Sequence, residues 1–236
     1  MATGSRKVPR KGKAAAFELS GGRLALDFAN TVDSRPTGRR KDRLGSYADV
    51  VAWSRQAKVV TPALAGALLA AARRRPALRA RAFARAVGLR EALFRAFSRL
   101  AGGATPEAAD LALVESEARN AAARRRLARS GDAYAWEWDA GAGDLDRVLW
   151  PVAIDAAELL TSDRLGCVRE CAADNCAWLF MDESRNRSRV WCDMRVCGNR
   201  AKARRHYAKI HGRLRRLAPR RGARPRGLAR GRNTHR

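Results

Sequence analysis

The chain has 236 residues, a formal net charge of +26 and five cysteines, a length that allows one or two domains. Its longest apolar run, residues 63–72, stops at Arg73, far short of the about 20 residues a membrane-spanning helix needs, so no membrane partner is expected. Residues 14–166 hold 24 basic against 18 acidic side chains and residues 167–199 balance five against five, whereas residues 1–13 carry five basic residues and residues 200–236 carry fifteen, neither with an acid. The excess therefore sits at the two ends. For residues 1–13 a solvated tail is sufficient. For the longer run beside a cysteine cluster, a polyanion is the expected partner.

In chain order, Phe17-Glu18-Leu19 reads as a short strand ended by Gly21-Gly22. Leu24, Phe28 and Val32 are four apart and predict one face of a first helix. Asp27 and Asn30 lie near it, either bracing neighbouring loops or lining a pocket; bracing is the commoner role of buried polar groups. Ser46 with Asp49 forms a cap signal for a helix carrying Val50, Trp53 and Ala57. Thr61-Pro62 starts the next helix and Pro76 ends it. Leu78, Ala82, Ala86, Leu89, Leu93, Phe97 and Leu100 keep helical spacing up to Gly102-Gly103. Thr105-Pro106-Glu107 opens a helix through Leu111, Val114 and Ala118. Ser130-Gly131-Asp132 is a turn, and the alternation of Tyr134, Trp136 and Trp138 predicts a small hairpin. A last helix spans about residues 145–160, with Pro151 expected to kink or split it. The apolar stripes, Trp53, Trp136 and Trp138 included, are expected to form core.

Cys171 with Cys176 and Cys192 with Cys197 form two pairs with equal gaps, the arrangement of a tetrathiolate site for one structural Zn2+. Two disulfides are the alternative; an odd cysteine count and the lack of a secretory signal weigh against them. Cys167 also lies at short spacing from Cys171 and competes as a ligand, but the matched gaps favour the other four, leaving Cys167 as a small, partly buried thiol. Residues 177–181 suit a strand, 182–187 a hairpin turn and 188–191 a returning strand that delivers Cys192, with Cys197 opening a helix. Knuckle, hairpin and helix in that order describe a treble-clef-like finger with Trp178, Phe180 and Trp191 as its core. The fold class expected is mainly α (α+β): a helical domain with a small β-hairpin, followed by a treble-clef-like four-cysteine zinc finger. The boundaries expected are a disordered basic segment at 1–13, a helical domain at 14–166 that stays folded without zinc, a finger at 167–213 and a disordered basic tail at 214–236.

Residues 176–192, followed by Asp193-Met194-Arg195-Val196-Cys197-Gly198-Asn199-Arg200-Ala201-Lys202, closely resemble the CGNR zinc finger. Residues 21–31, 149–153 and 158–160 resemble the helical ABATE domain that accompanies it. The resemblance covers roughly residues 17–213. It implies a bacterial transcription regulator and places zinc ligands at Cys171, Cys176, Cys192 and Cys197, in agreement with the spacing; Cys167 falls outside that pattern.

Function follows from the finger and its charge. Arg200 and Arg204 are four apart, Lys202, Arg205, Lys209 and Arg213 follow a neighbouring stripe, and Asn199 opens the segment. With Arg185, Asn186, Arg187 and Arg189 at the turn as a second surface, these side chains are the expected nucleic-acid contacts. Double-stranded DNA is the first partner expected. RNA binding and a zinc-stabilised protein-interaction module are the alternatives. The helical domain is expected to sense a small-molecule ligand or to form a homodimer, in a cytoplasmic, nucleoid-associated protein. Catalysis is not expected: all three histidines lie in the basic tail, and no glycine-rich phosphate loop or nucleophile elbow occurs.

Overall fold

The computed structural model describes residues 17–139, 141 and 143–217. The expected basic ends lie outside these residues, except that residues 214–217 continue the last helix. Residues 17–19 form no strand: the Phe17 amide donates to the Gln56 side-chain oxygen at 2.8 Å rather than to a backbone ladder. Helix α1 (Leu24–Ala29) is six residues long and shorter than its spacing predicts. Val32 remains buried but leaves the helix for β1 (Val32–Asp33), which pairs antiparallel with β2 (Lys41–Asp42).

The predicted caps are present. Ser46 accepts the Asp49 amide at 3.4 Å and donates to the Asp49 carboxylate at 2.8 Å, closing the N-terminus of α2 (Tyr47–Gln56). Thr61 accepts the Leu64 amide at 3.2 Å at the head of α3 (Pro62–Arg74), and Pro76 begins α4 (Pro76–Ala101) after Arg75. Gly102 and Gly103 stop α4, the latter at φ 76°. Helix α5 (Ala108–Ala122) starts after Glu107, which provides no side-chain cap, so it begins later than Thr105 suggests. A 3-10 turn (Leu145–Val148) precedes α6 (Trp150–Leu160), whose first turn contains Pro151; the proline splits the segment as expected.

Helix α4 is the spine. It packs against α1, α2, α3 and α5, and Leu89, Leu93 and Phe97 from it meet Leu26 and Phe28 of α1 and Val152 and Leu159 of α6 in one buried cluster. Leu78 departs from the predicted stripe: it lies in the first turn of α4, beyond the reach of that cluster, and is exposed. Arg90 is fully buried on α4 and reaches the Asp42 carboxylate through two bonds of 2.6 and 2.7 Å, tying β2 to the spine.

Strands β3 (Arg125–Ser130) and β4 (Ala133–Trp138) form the predicted hairpin about Gly131-Asp132, with Gly131 at φ 63°. Its aromatic residues correct the expectation of core packing. Trp53 is buried and Trp138 packs on Trp150 at 5.5 Å, but Trp136 is 59% exposed and Tyr134 74%. Alternation identifies a strand; it does not say that something covers the face.

Asp27 braces a loop, accepting the Gly21 amide at 2.7 Å. Its carboxyl is raised to about 6: burial is the main cause, the Gly21 amide opposes it and the Asp155 charge adds to it. A raised carboxyl is protonated more readily in the folded chain, so stability falls as pH rises from about 4 to about 6. Asp27→Asn keeps the acceptor and removes the charge. It should stabilise the protein at pH 7 by about 1–2 kcal/mol, allowing for residual solvent contact, and leave it nearly unchanged at pH 4. Urea denaturation at both pH values measures this; an equal effect at both would refute it.

Candidate metal centre and basic helix

The described residues up to Gly198 form one compact unit, and the helix after it belongs to a second. Strand β5 (Val168–Glu170) pairs antiparallel with β6 (Leu179–Met181). This corrects the predicted hairpin, in which residues 188–191 were to pair with 177–181. Residues 188–191 form no strand; the Val190 carbonyl accepts a single bond, 3.1 Å, from the Ala172 amide. The strand partner comes from upstream because the intervening loop is organised by Asp182 instead of a ladder. That buried carboxylate accepts the Ser184 amide at 3.0 Å, the Ser184 hydroxyl at 2.6 Å and the Arg189 amide at 2.9 Å. The Asp-x-Ser spacing is the sequence signal for this turn.

Strand β6 serves two cores. Leu179 and Met181 enter the helical cluster, while Trp178 and Phe180 join Cys171, Ala173, Cys176, Cys192 and Cys197 in a second cluster. Side chains alternate across a strand, so a wholly apolar run can face both ways. Asn30 secures the strand: its amide donates to the Leu179 carbonyl and its oxygen accepts the Leu179 amide, each at 2.8 Å. The Trp178 indole donates to the Val32 carbonyl at 3.1 Å, and the Met181 amide to the Gly21 carbonyl at 2.8 Å. Gly22, at φ 79°, lets the chain pass Met181 closely; an added Cβ would lie 3.2 Å from the Met181 Cβ.

The knuckle is closed by bonds from the Cys171 amide to Trp178 at 2.8 Å and from the Cys176 amide to Ala173 at 2.9 Å. Ala177 then takes the left-handed conformation at φ 60°. On the other side, Asp193 caps a single π-type turn (Met194–Gly198), accepting the Arg195 amide at 2.6 Å and the Val196 amide at 3.0 Å on its side chain. Cys197 lies inside this turn and not in the first turn of a helix as predicted. Its amide and that of Gly198 both donate to the Asp193 carbonyl, at 2.9 and 3.2 Å. Gly198 has no room for a side chain, since a Cβ would meet Met194 Sδ at 2.2 Å and Trp191 Cδ1 at 3.2 Å.

These turns bring the four predicted sulfurs together. All four cysteines are buried, and their Sγ atoms lie within 4.8 Å of one another. Cys176 and Cys192 are 3.6 Å apart, as are Cys192 and Cys197. Four sulfurs each at about 2.3 Å from one tetrahedral ion are separated by about 3.8 Å, so the donor set fits zinc. Without a cation the thiols cannot all ionise. Hydrogen bonds from Cys176 and Cys192 pull Cys171 well below the usual thiol range, the same contacts with Cys171 push Cys176 and Cys192 up, and burial pushes Cys197 up. A divalent cation removes that conflict by deprotonating all four. Cys167 is buried in the helical cluster, outside the group of four.

Helix α7 (Asn199–Leu217) carries eight Lys and Arg and no acid. It continues past Gly212, where the sequence suggested loss of order. Asn199, Arg200, Lys202, Arg204, Arg205 and Lys209 are exposed on it, and Arg213 lies on the same helix beyond the last described side chain. In the loop, Arg185 and Arg187 are exposed, as is Asn186. Arg189 is engaged at home: it donates to the Trp191 carbonyl at 2.9 Å and to that of Cys192, with its guanidinium 4.4 Å from the Phe180 ring centre.

Fold and site define a mainly helical protein with small two-stranded sheets and four cysteines positioned to bind one structural zinc ion. A family model for ABATE, described as "Putative stress-induced transcription regulator", matches residues 22–163, and one for the CGNR zinc finger matches residues 168–209. The first alone covers more than half of the chain, so the chain belongs to the ABATE family, with a CGNR zinc finger after that domain. A search of curated proteins finds no match. Among the described residues no helix is long and apolar enough to cross a membrane.

Proposed function

We propose that this chain is a DNA-binding transcription regulator of the bacterial cytoplasm, associated with the nucleoid. In this reading one zinc ion, bound by Cys171, Cys176, Cys192 and Cys197, fixes the finger, and the helical domain senses a signal or dimerises. The observation that carries it is an exposed, acid-free helix beginning two residues after Cys197. Such a helix neutralises phosphates and releases their counterions. Arg200, Lys202, Arg204, Arg205, Lys209 and Arg213 carry the contacts on α7, with Asn199 at its start and Arg185 and Arg187 on the loop. Trp178 is buried and Trp191 half-buried, so neither of these rings offers a stacking platform beside the metal centre. That favours duplex DNA over single-stranded RNA. Four thiolates fill a tetrahedral ion and leave no position for water, so the zinc is structural and the protein is not an enzyme on this reading.

Fluorescence anisotropy with duplex DNA tests it. The log of affinity should fall with the log of salt at a slope of about −0.9 per phosphate contacted. Joint replacement of Lys202, Arg205 and Lys209 by alanine should make that slope shallower by up to about 2.7, at unchanged zinc content. Salt-independent binding, or tighter binding to single-stranded RNA than to any duplex, would overturn the DNA assignment.

A further inference from the structure

Neither the metal centre nor the basic helix gives the β3–β4 hairpin a role. Each strand is six residues long, and the only extensive contact of either strand, among the described residues, is with the other. The hairpin nonetheless exposes large apolar side chains: Leu127 at 60%, Trp136 at 59% and Tyr134 at 74%. Apolar side chains grouped on one exposed surface mark a contact site.

The register sorts the hairpin into two unlike faces. On one, Arg125 stands opposite Trp138, Leu127 opposite Trp136 and Arg129 opposite Tyr134. That face holds two cations, no carboxylate and a row of three aromatic rings along β4. On the other, Arg126 stands opposite Glu137 and is ion-paired with it at 3.0 Å, among alanines and a serine. The two arginines of the aromatic face have no acid opposite them. Arg125 lies 5.3 Å from the Trp138 ring centre and 5.8 Å from that of Trp136, and Arg129 donates to the Gly131 carbonyl at 3.1 Å. Uncompensated positive charge is thus gathered where the rings are. The fitting occupant is an anion that also offers flat surfaces to the rings.

We propose that this face binds single-stranded nucleic acid, with bases stacked on Tyr134 and Trp136 and phosphates met by Arg125 and Arg129. Side chains two positions apart on a strand are about 6–7 Å apart. Stacked bases follow one another at about 3.4 Å along one strand of a duplex. The row therefore suits a strand drawn out with its bases unstacked, and not a duplex, whose base faces are hidden in the stack. Trp138 packs on Trp150 at 5.5 Å and anchors the row to the helical domain. Every base has a π-face, so stacking of this kind accepts any sequence. An acidic peptide would satisfy the arginines but bring no flat partner for the rings. Insertion into a membrane would need an apolar tip, and the tip here is Gly131-Asp132. The inference does not depend on whether the basic helix binds duplex DNA.

Fluorescence anisotropy on the full, zinc-loaded chain tests it, with oligothymidine, oligouridine and a duplex as probes. The basic helix attracts all three, so the differences between probes are what is read. Trp136→Ala should weaken binding to the single strands by at least about fivefold, at unchanged salt slope, duplex affinity and zinc content. Trp136→Phe keeps a ring and should retain most of the binding. Joint replacement of Arg125 and Arg129 by alanine should make the single-strand salt slope shallower by up to about 1.4, whereas Arg126→Ala, on the opposite face, should leave it unchanged. The Trp136→Ala loss should persist when Lys202, Arg205 and Lys209 are also alanine, which separates this site from the helix. A loss confined to one oligonucleotide supports the site and narrows its ligand to DNA or to RNA. A Trp136→Ala protein that binds both single strands as the wild type does overturns the proposal, as does an equal weakening for duplex and single strands. Binding to phosphatidylserine vesicles or to polyglutamate that Trp136→Ala abolishes, with single-strand affinity unchanged, would assign the face to a membrane or an acidic protein instead.

Discussion

Cys197→Ser should lower zinc from near one ion per chain and unfold the finger. The physical reason is the size of its core. Apart from Ala173 and the cysteines themselves, only Trp178 and Phe180 are buried there, with Trp191 and Val196 partly so. Zinc contributes an apparent 10–16 kcal/mol in small modules, as large as the whole stability of a typical domain. Serine replaces a soft thiolate by a poor ligand, and the remaining sulfurs, about a tetrahedral edge apart, are left to share protons. The loss should stop at β6, because Leu179 and Met181 belong to the helical cluster and are bonded to Asn30 and Gly21. Chelation should therefore change tryptophan fluorescence strongly and far-UV circular dichroism little. Cys167→Ser should keep its zinc, since that side chain packs with the helices. Full zinc retention by Cys197→Ser, or loss from Cys167→Ser, would show the ligand set to be wrong.

Asn30→Ala should cost about 2–4 kcal/mol of stability, since each buried polar group left without a partner costs about 1–3 kcal/mol. Both groups orphaned here are on the backbone of Leu179, which is fully buried and has no water to turn to. The same change should loosen the finger's hold on zinc, because Trp178 and Phe180 flank Leu179 on the strand that Asn30 secures. Urea denaturation of the zinc-loaded protein measures the first effect and competition with a chromogenic chelator the second. Unchanged zinc affinity alongside reduced stability would mean that the two faces of β6 act independently. Asn30→Asp keeps the acceptor but loses the donor and adds a buried charge, so it should not rescue.

The sequence by itself determined whatever is settled within a turn or two of chain. The caps at Ser46 and Thr61, the stop at Gly102-Gly103, the break at Pro151 and the matched cysteine gaps were legible because each depends on neighbouring backbone or on the reach of a few residues. The four sulfurs meet where the spacing said, even though the path between them differs. Tertiary structure decided what covers what. The run from Ala177 to Met181 announced a strand, but not that one of its faces belongs to the helices and the other to the metal centre. Its partner is β5 and not residues 188–191, since backbone groups of any extended segment can pair and only packing selects among them. Asn30 looked like a bracing residue; that it braces a strand 149 positions away is a contact no local pattern encodes. Trp136 and Trp53 are chemically alike, yet one is exposed and the other buried. Periodicity reports how side chains alternate along a segment, while burial depends on which other segments arrive.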